Sequence, residues 1–236
     1  MLDLGALREA RLGDPPHRWG YLRQALGAES ARTLRETFPG SGYWSLRRHD
    51  GEKAMDLRLR CLVALGGAEP AGADSLPPAW RAFTEELLSD GYRDAFAEAL
   101  GISLDDHLLE VSAWRWPPDA FLDPHVDLER KLASQVFYFN DGWDPDWGGC
   151  LDILGSEDPE DVVARLPPAL GSASIVVRSD SSWHAVQRVR AAAREERLSV
   201  IATWQHPGTE SPFWTVDPDG TVRCHARGSE PVALAA

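Results

Sequence analysis

The sequence predicts an α+β protein with a mainly β core, a sandwich or closed barrel of short strands with N-terminal helices packed outside the sheet. Three observations carry this. From His107 onward, short apolar runs recur between segments rich in Gly, Pro and Asp, the texture of antiparallel strands rather than of a parallel α/β sheet. Helical periodicity is confined to the part of the chain before residue 105. At 236 residues and 43% hydrophobic composition, the chain suffices for one domain with a real core. The expected organisation is a single domain over 1–236: helical support over 1–105, the β core over 106–206, and a hairpin and tail over 207–236.

Taken in order, residues 1 to about 40 read as helical. Leu22, Ala25 and Leu26 have helical spacing, with Pro15 and Pro16 at the start of that helix. A second helix runs from Ser30 to Phe38 and stops at Pro39 and Gly40. Leu57 to Leu62 alternates apolar and charged residues, which suggests a half-buried strand. A Gly-, Ala- and Pro-rich loop spans residues 68–78. Helical stretches follow at Ala79–Leu88 and Tyr92–Leu100, the latter closed by Gly101; their Trp, Phe and Leu stripes read as core.

The strands then come in series: Leu108–Trp116, Phe121–Val126, Ala133–Phe139, Cys150–Leu154, Ala173–Arg178, Trp183–Val189 and Leu198–Trp204. A last hairpin, Phe213–Val216 with Thr221–Cys224, is joined by the turn sequence Asp217-Pro218-Asp219-Gly220.

Composition excludes several function classes. The net charge is -13, and the 24 Lys and Arg residues are spread along the chain, so no nucleic-acid partner is expected. Cys61, Cys150 and Cys224 form no close pair, which argues against a disulfide framework or a zinc ribbon. No apolar run reaches bilayer length and no basic leader opens the chain, so no membrane association and a cytoplasmic location are expected.

The chemistry centres on Asp123-Pro124-His125-Val126-Asp127. On an extended strand, His125 and Asp127 point to one face. His184, in Ser182-Trp183-His184-Ala185-Val186, can return on a later strand as a third ligand. Two imidazoles and a carboxylate form the facial set that suits iron(II) and leaves coordination positions open. Further on, Arg197 and Ser199 share a strand face, where a guanidinium and a hydroxyl can hold a carboxylate. Arg194, on the adjoining charged turn, is the alternative anchor.

These elements together resemble the iron(II)/2-oxoglutarate-dependent dioxygenases, in their prolyl-4-hydroxylase-like branch. Val136-Phe137-Tyr138-Phe139-Asn140 is similar to that branch's Tyr-Leu-Asn strand, and Trp147-Gly148-Gly149-Cys150-Leu151 to its Gly-Gly-x-Leu turn. The likeness covers about residues 108–206. It implies a double-stranded β-helix, or jelly roll, with His125, Asp127 and His184 binding iron. It also implies that Arg197, Ser199 and Tyr138 hold the distal carboxylate of 2-oxoglutarate. Two departures stand out. The interval from His184 to Arg197 is longer than is usual in the branch, and Trp116 stands where a tyrosine often precedes the first ligand. Asp127, in place of Ala or Gly, argues against a halogenase.

The implied reaction consumes iron-bound 2-oxoglutarate and O2, releases succinate and carbon dioxide, and hydroxylates a substrate. The expected substrate is a small molecule such as an amino acid or natural-product intermediate. Arg178 and Lys131 are candidates for contacting an acidic group on it. The alternatives are a peptidyl or prolyl hydroxylase acting on a protein, a jelly roll that binds a metal or small acid without turnover, and an isomerase or lyase using another divalent metal.

Overall fold

The computed structural model describes residues 1–13, 15–48 and 55–232. The last residues of the expected tail, 233–236, lie outside them. In chain order the elements are α1 (Leu4–Arg8), β1 (Trp19–Leu22), α2 (Ala28–Glu36), β2 (Tyr43–Arg48), β3 (Met55–Val63), α3 (Pro78–Leu87) and α4 (Asp90–Leu100). The strands β4 (Leu108–Trp116), β5 (Phe121–His125), β6 (Lys131–Tyr138), β7 (Leu151–Leu154) and β8 (Val162–Leu166) follow. The chain continues through β9 (Ala173–Val177), β10 (His184–Val186), β11 (Arg197–Gln205), β12 (Trp214–Val216), β13 (Val222–Cys224) and β14 (Ser229–Val232).

Hydrogen-bonded neighbours run β1-β9-β6-β11-β4-β3-β5-β10-β7-β8, with β2 extending from β3 and β14 from β2. The strand pairs on this path are antiparallel. The step from β3 to β5, through Met55↔Leu122 and Asp56↔Phe121, joins a larger leaf to a smaller one. The result is a nearly closed antiparallel barrel, the jelly roll expected from the sequence. The β12–β13 hairpin stands apart as its own small sheet.

The larger leaf separates two environments by simple alternation. On β11, Leu198, Val200, Ala202 and Trp204 face the helices, and so do Ala133 and Phe137 of β6 and Leu109, Val111 and Ala113 of β4. Against them pack Trp80, Phe83 and Leu87 of α3 and Tyr92 and Phe96 of α4. Trp80 meets Phe38 edge-on at 4.9 Å and Phe83 at 5.6 Å between ring centroids. Each such side chain contributes about 1.5–3 kcal/mol through burial. Ser89 caps α4 by accepting from the Tyr92 amide, and Gly101 ends it in the left-handed region at φ +70°. The residues between these apolar positions point the other way, into the barrel.

The N-terminal reading needs correction in one place. Residues 19–22, expected within a helix, form strand β1 on the edge of the larger leaf, in register Trp19↔Val176 to Leu22↔Ala173. Too few apolar positions recur there to stabilise a helix, and the open backbone groups of β9 reward an added strand. The second helix lies at Ala28–Glu36, two residues ahead of its expected bounds. Three further strands escape the sequence reading, among them β2, which the sequence leaves unassigned and which pairs with β3 and β14. β8 alternates in burial but is short and preceded by an acidic turn, and β14 carries Pro231, which an edge strand tolerates.

Candidate metal and co-substrate site

The three predicted ligands converge. β5 and β10 pair antiparallel with His184 directly opposite His125, which brings the two imidazoles to 4.2 Å between ring centroids. Asp127 follows two residues after the end of β5, its Oδ1 3.9 Å from His125 Nε2. One ligating atom from each of His125, Asp127 and His184 falls within 4.8 Å of the others, and all three residues are buried. Among the described residues this is the one such group of three.

The second ring nitrogens explain the orientation. His125 Nδ1 lies 2.8 Å from the Asp123 carbonyl, and His184 Nδ1 lies 2.8 Å from the Ser182 carbonyl. A carbonyl only accepts, so Nδ1 carries the proton in both rings and Nε2 holds the lone pair a metal needs. The turn that positions Ser182 is itself bonded, with Ser182 Oγ donating to the Ser179 carbonyl and accepting from the Ser179 amide. Two preset imidazoles and one carboxylate on a single side fit iron(II).

Deeper in the same cleft, Arg197 is 1% exposed. Its Nε donates to the Gly149 carbonyl at 2.6 Å and its Nη1 to Ser199 Oγ at 3.3 Å. The guanidinium lies 4.9 Å from the Trp116 ring centroid and 5.2 Å from that of Tyr138. Among the described residues no carboxylate pairs with it. Burial lowers its pKa against opposing contributions from Tyr138 and Cys150, yet an arginine stays protonated. Burial likewise pushes the Tyr138 phenol up to about 12, so it is a neutral hydroxyl able to donate. That hydroxyl lies 2.7 Å from Ser174 Oγ, and the Trp116 indole donates to Ser199 Oγ at 3.1 Å. Arg194, the alternative anchor, lies on the turn before β11, outside the cleft.

Local sequence explains why Arg197 can sit there. Gly149 has φ +68°, and a Cβ on it would come within 3.2 Å of Arg197 Cδ and 3.1 Å of the Trp143 ring. Asn140 clamps the start of β11, donating to the Glu196 carbonyl and accepting from the Leu198 amide, both at 2.8 Å. The Gly-Gly and Tyr-Phe-Asn segments are thus the supports of one arginine.

Tyr138 lines the cleft with Ser134 and Val136, its partners on the strand face. Lys131 also lines it, but its ammonium is 2.7 Å from Asp127 Oδ1. Arg178 lies just past β9, its Nη2 2.8 Å from the exposed Asp180 and its Nε 3.5 Å from the Asp127 carbonyl. Glu110, Trp114 and Phe213 line the cleft as well, and the sequence reading does not single them out. Leu122, Leu151, Val176, Val186 and Ile201 complete the apolar walls of the cleft.

Comparison with known proteins fits this geometry. A family model of the 2OG-Fe(II) oxygenase superfamily matches residues 111–206, the stretch that supplies every predicted residue of the site. Prolyl 3-hydroxylase OGFOD1 of Mus musculus is 25% identical over 131 residues, 54% of this chain. The matched region spans only 24% of that relative. Among solved structures, a Pseudomonas putida prolyl-4-hydroxylase superposes with a TM-score of 0.60 at 21% identity, over 85% of this chain and 98% of that one. A Trichoplax adhaerens prolyl hydroxylase, in complex with a hypoxia inducible factor peptide fragment, gives 0.56 at 13% identity, over 79% and 83%. No helix among the described residues is long and apolar enough to cross a membrane.

Proposed function

We propose that this chain, which belongs to the 2OG-Fe(II) oxygenase superfamily, couples 2-oxoglutarate consumption to hydroxylation of a small molecule such as an amino acid or natural-product intermediate. The observation that carries the reading is Arg197: a buried guanidinium with no carboxylate partner among the described residues, in the cleft that also holds His125, Asp127 and His184. A buried cation without an anion is strongly disfavoured, so the site calls for an acidic ligand.

His125, Asp127 and His184 would hold the iron, and Arg197, Ser199 and Tyr138 the distal carboxylate of 2-oxoglutarate. Bound iron(II) supplies the redox centre at which 2-oxoglutarate and O2 are converted to succinate, carbon dioxide and an oxidising equivalent spent on the substrate. The chain's own work is placement. The Asp123 and Ser182 carbonyls keep the imidazoles aimed. The Tyr138 hydroxyl and the Arg197 fork orient the co-substrate, and the apolar walls exclude water. Lys131 steadies Asp127, and together with Arg178 it remains a candidate for an acidic substrate group. Three buried, free cysteines accord with a reducing, cytoplasmic setting.

A second reading, hydroxylation of a prolyl residue in a protein, draws on the prolyl-hydroxylase relatives named above. One assay separates the readings: succinate formation by the iron-loaded protein with 2-oxoglutarate and O2, against a panel of small molecules and of proline-containing peptides. Stimulation by small molecules supports the first reading and stimulation by peptides the second. No succinate in any arm would leave a barrel that binds without turnover.

A further inference from the structure

The cleft holds a second buried charge that the reading above leaves unused. Glu110 sits on β4 opposite Thr203, while Arg197 sits opposite Trp116 at the other end of the same ladder. Six residues of strand at about 3.3 Å each put the two charges' backbones roughly 20 Å apart. Glu110 is 5% exposed and lines the cleft. The Ser211 side chain hydrogen-bonds to its carboxylate and favours the ionised form. Its Oε2, however, is buried with no hydrogen-bond partner among the described residues. Burial raises its pKa, outweighing Ser211, Lys131 and Arg130. Neither cation is its ion pair, for Lys131 is held by Asp127 at 2.7 Å and Arg130 makes no salt bridge among the described residues.

The surroundings select a ligand. Trp114 lines the cleft on the same strand face four residues further along β4, opposite Ser199, its Nε1 also without a partner among the described residues. Phe213 stands edge-on to it at 5.9 Å. Ser211, which bonds Glu110, lies two residues before Phe213, so the buried carboxylate and the aromatic walls share one cleft and attract an organic cation twice, by charge and by the ring quadrupole. We infer that this end of the cleft is a subsite for a cationic group of the substrate, an ammonium or a guanidinium, with Glu110 as counter-ion and Trp114 and Phe213 as walls. The inference rests on the cleft being the substrate site proposed above and narrows its substrate to amine- or guanidine-bearing compounds, free or on a peptide.

The test is direct binding to the full chain loaded with manganese(II) and 2-oxoglutarate without O2. Calorimetry compares n-butylguanidinium, n-butylammonium and the neutral isostere n-butylurea on wild type, Glu110→Gln and Glu110→Asp. Circular dichroism and unfolding midpoints serve as folding checks. A charged hydrogen bond lost from a buried site corresponds to about ten- to hundredfold in affinity. The two cations should therefore weaken by that factor in Glu110→Gln and by less in Glu110→Asp, with n-butylurea weak throughout. Equal cation binding in wild type and Glu110→Gln, or n-butylurea binding as tightly as the guanidinium, overturns the subsite. Should Glu110→Gln fail to fold, Glu110→Ala takes its place: cation affinity lost against unchanged n-butylurea supports the subsite, and cation affinity retained overturns it. A lysine- or arginine-containing peptide in a further arm, more tightly held than the free cations, identifies a peptide source. Glu110-dependent cation binding without succinate in any assay would leave the subsite standing and remove the oxygenase reading.

Discussion

The two faces of the larger leaf are built from the same three strands and do opposite things. Toward the helices, β4, β6 and β11 present Leu109, Val111, Phe137, Val200 and Trp204 in a continuous apolar layer. Toward the barrel, neighbouring residues on the same strands present Glu110, Tyr138, Ser199 and Arg197, all buried yet polar. One face lowers the free energy of the fold, and the other raises it by burying a guanidinium and a carboxylate without ion-pair partners among the described residues. The proposed function sits on the costly face: stability built on one side of a strand tolerates unsatisfied chemistry on the other.

Substitutions can break this division. The largest effect falls on the barrel face: His125→Ala or Asp127→Ala should abolish iron(II) binding measured by calorimetry, and binding retained in either removes the ligand assignment. Next comes the helix face, where Trp80→Ala should cost about 3–5 kcal/mol in denaturant unfolding. There the metal affinity of the folded fraction should stay as in wild type. Arg197→Ala should weaken 2-oxoglutarate binding by about ten- to hundredfold, as expected for losing a charge-assisted pair, while Arg194→Ala should leave it unchanged. The converse result would move the anchor to Arg194.

The smallest effect concerns alkaline pH. The Tyr138 pKa is raised from 10.0 to about 12 by burial, so the unfolded chain loses this proton first. Its contribution is fully present below pH 10 and is lost as pH rises through about 12. Tyr138→Phe should flatten that decline by about 1–2 kcal/mol in unfolding measured across the window. An unchanged slope would mean that the phenol ionises as freely as in water.

Much of this arrangement is legible along the chain. Strand β4 is found at its expected bounds, and β5, β6, β7, β9 and β11 within a few residues of theirs, because their alternation and intervening turns are local signals. The β12–β13 hairpin follows from Asp217–Gly220, with Gly220 at φ +82°. His125 and Asp127 stand out by spacing. Strand β1 defeats the helical reading because its stabilisation comes from β9, far away in sequence, and not from its own pattern. Glu110 stays hidden because an acid in a strand ordinarily faces water; only the neighbours brought by other strands bury it.

Residue type and short-range period alone are therefore enough for the β texture, the helical stripes and the placing of His125 and Asp127 on one strand face. Three facts wait for the folded chain: which arginine lies inside, which acid is buried without an ion-pair partner among the described residues, and that His184 stands opposite His125. They depend on strand register and closure, which are set by the packing of segments far apart in the chain.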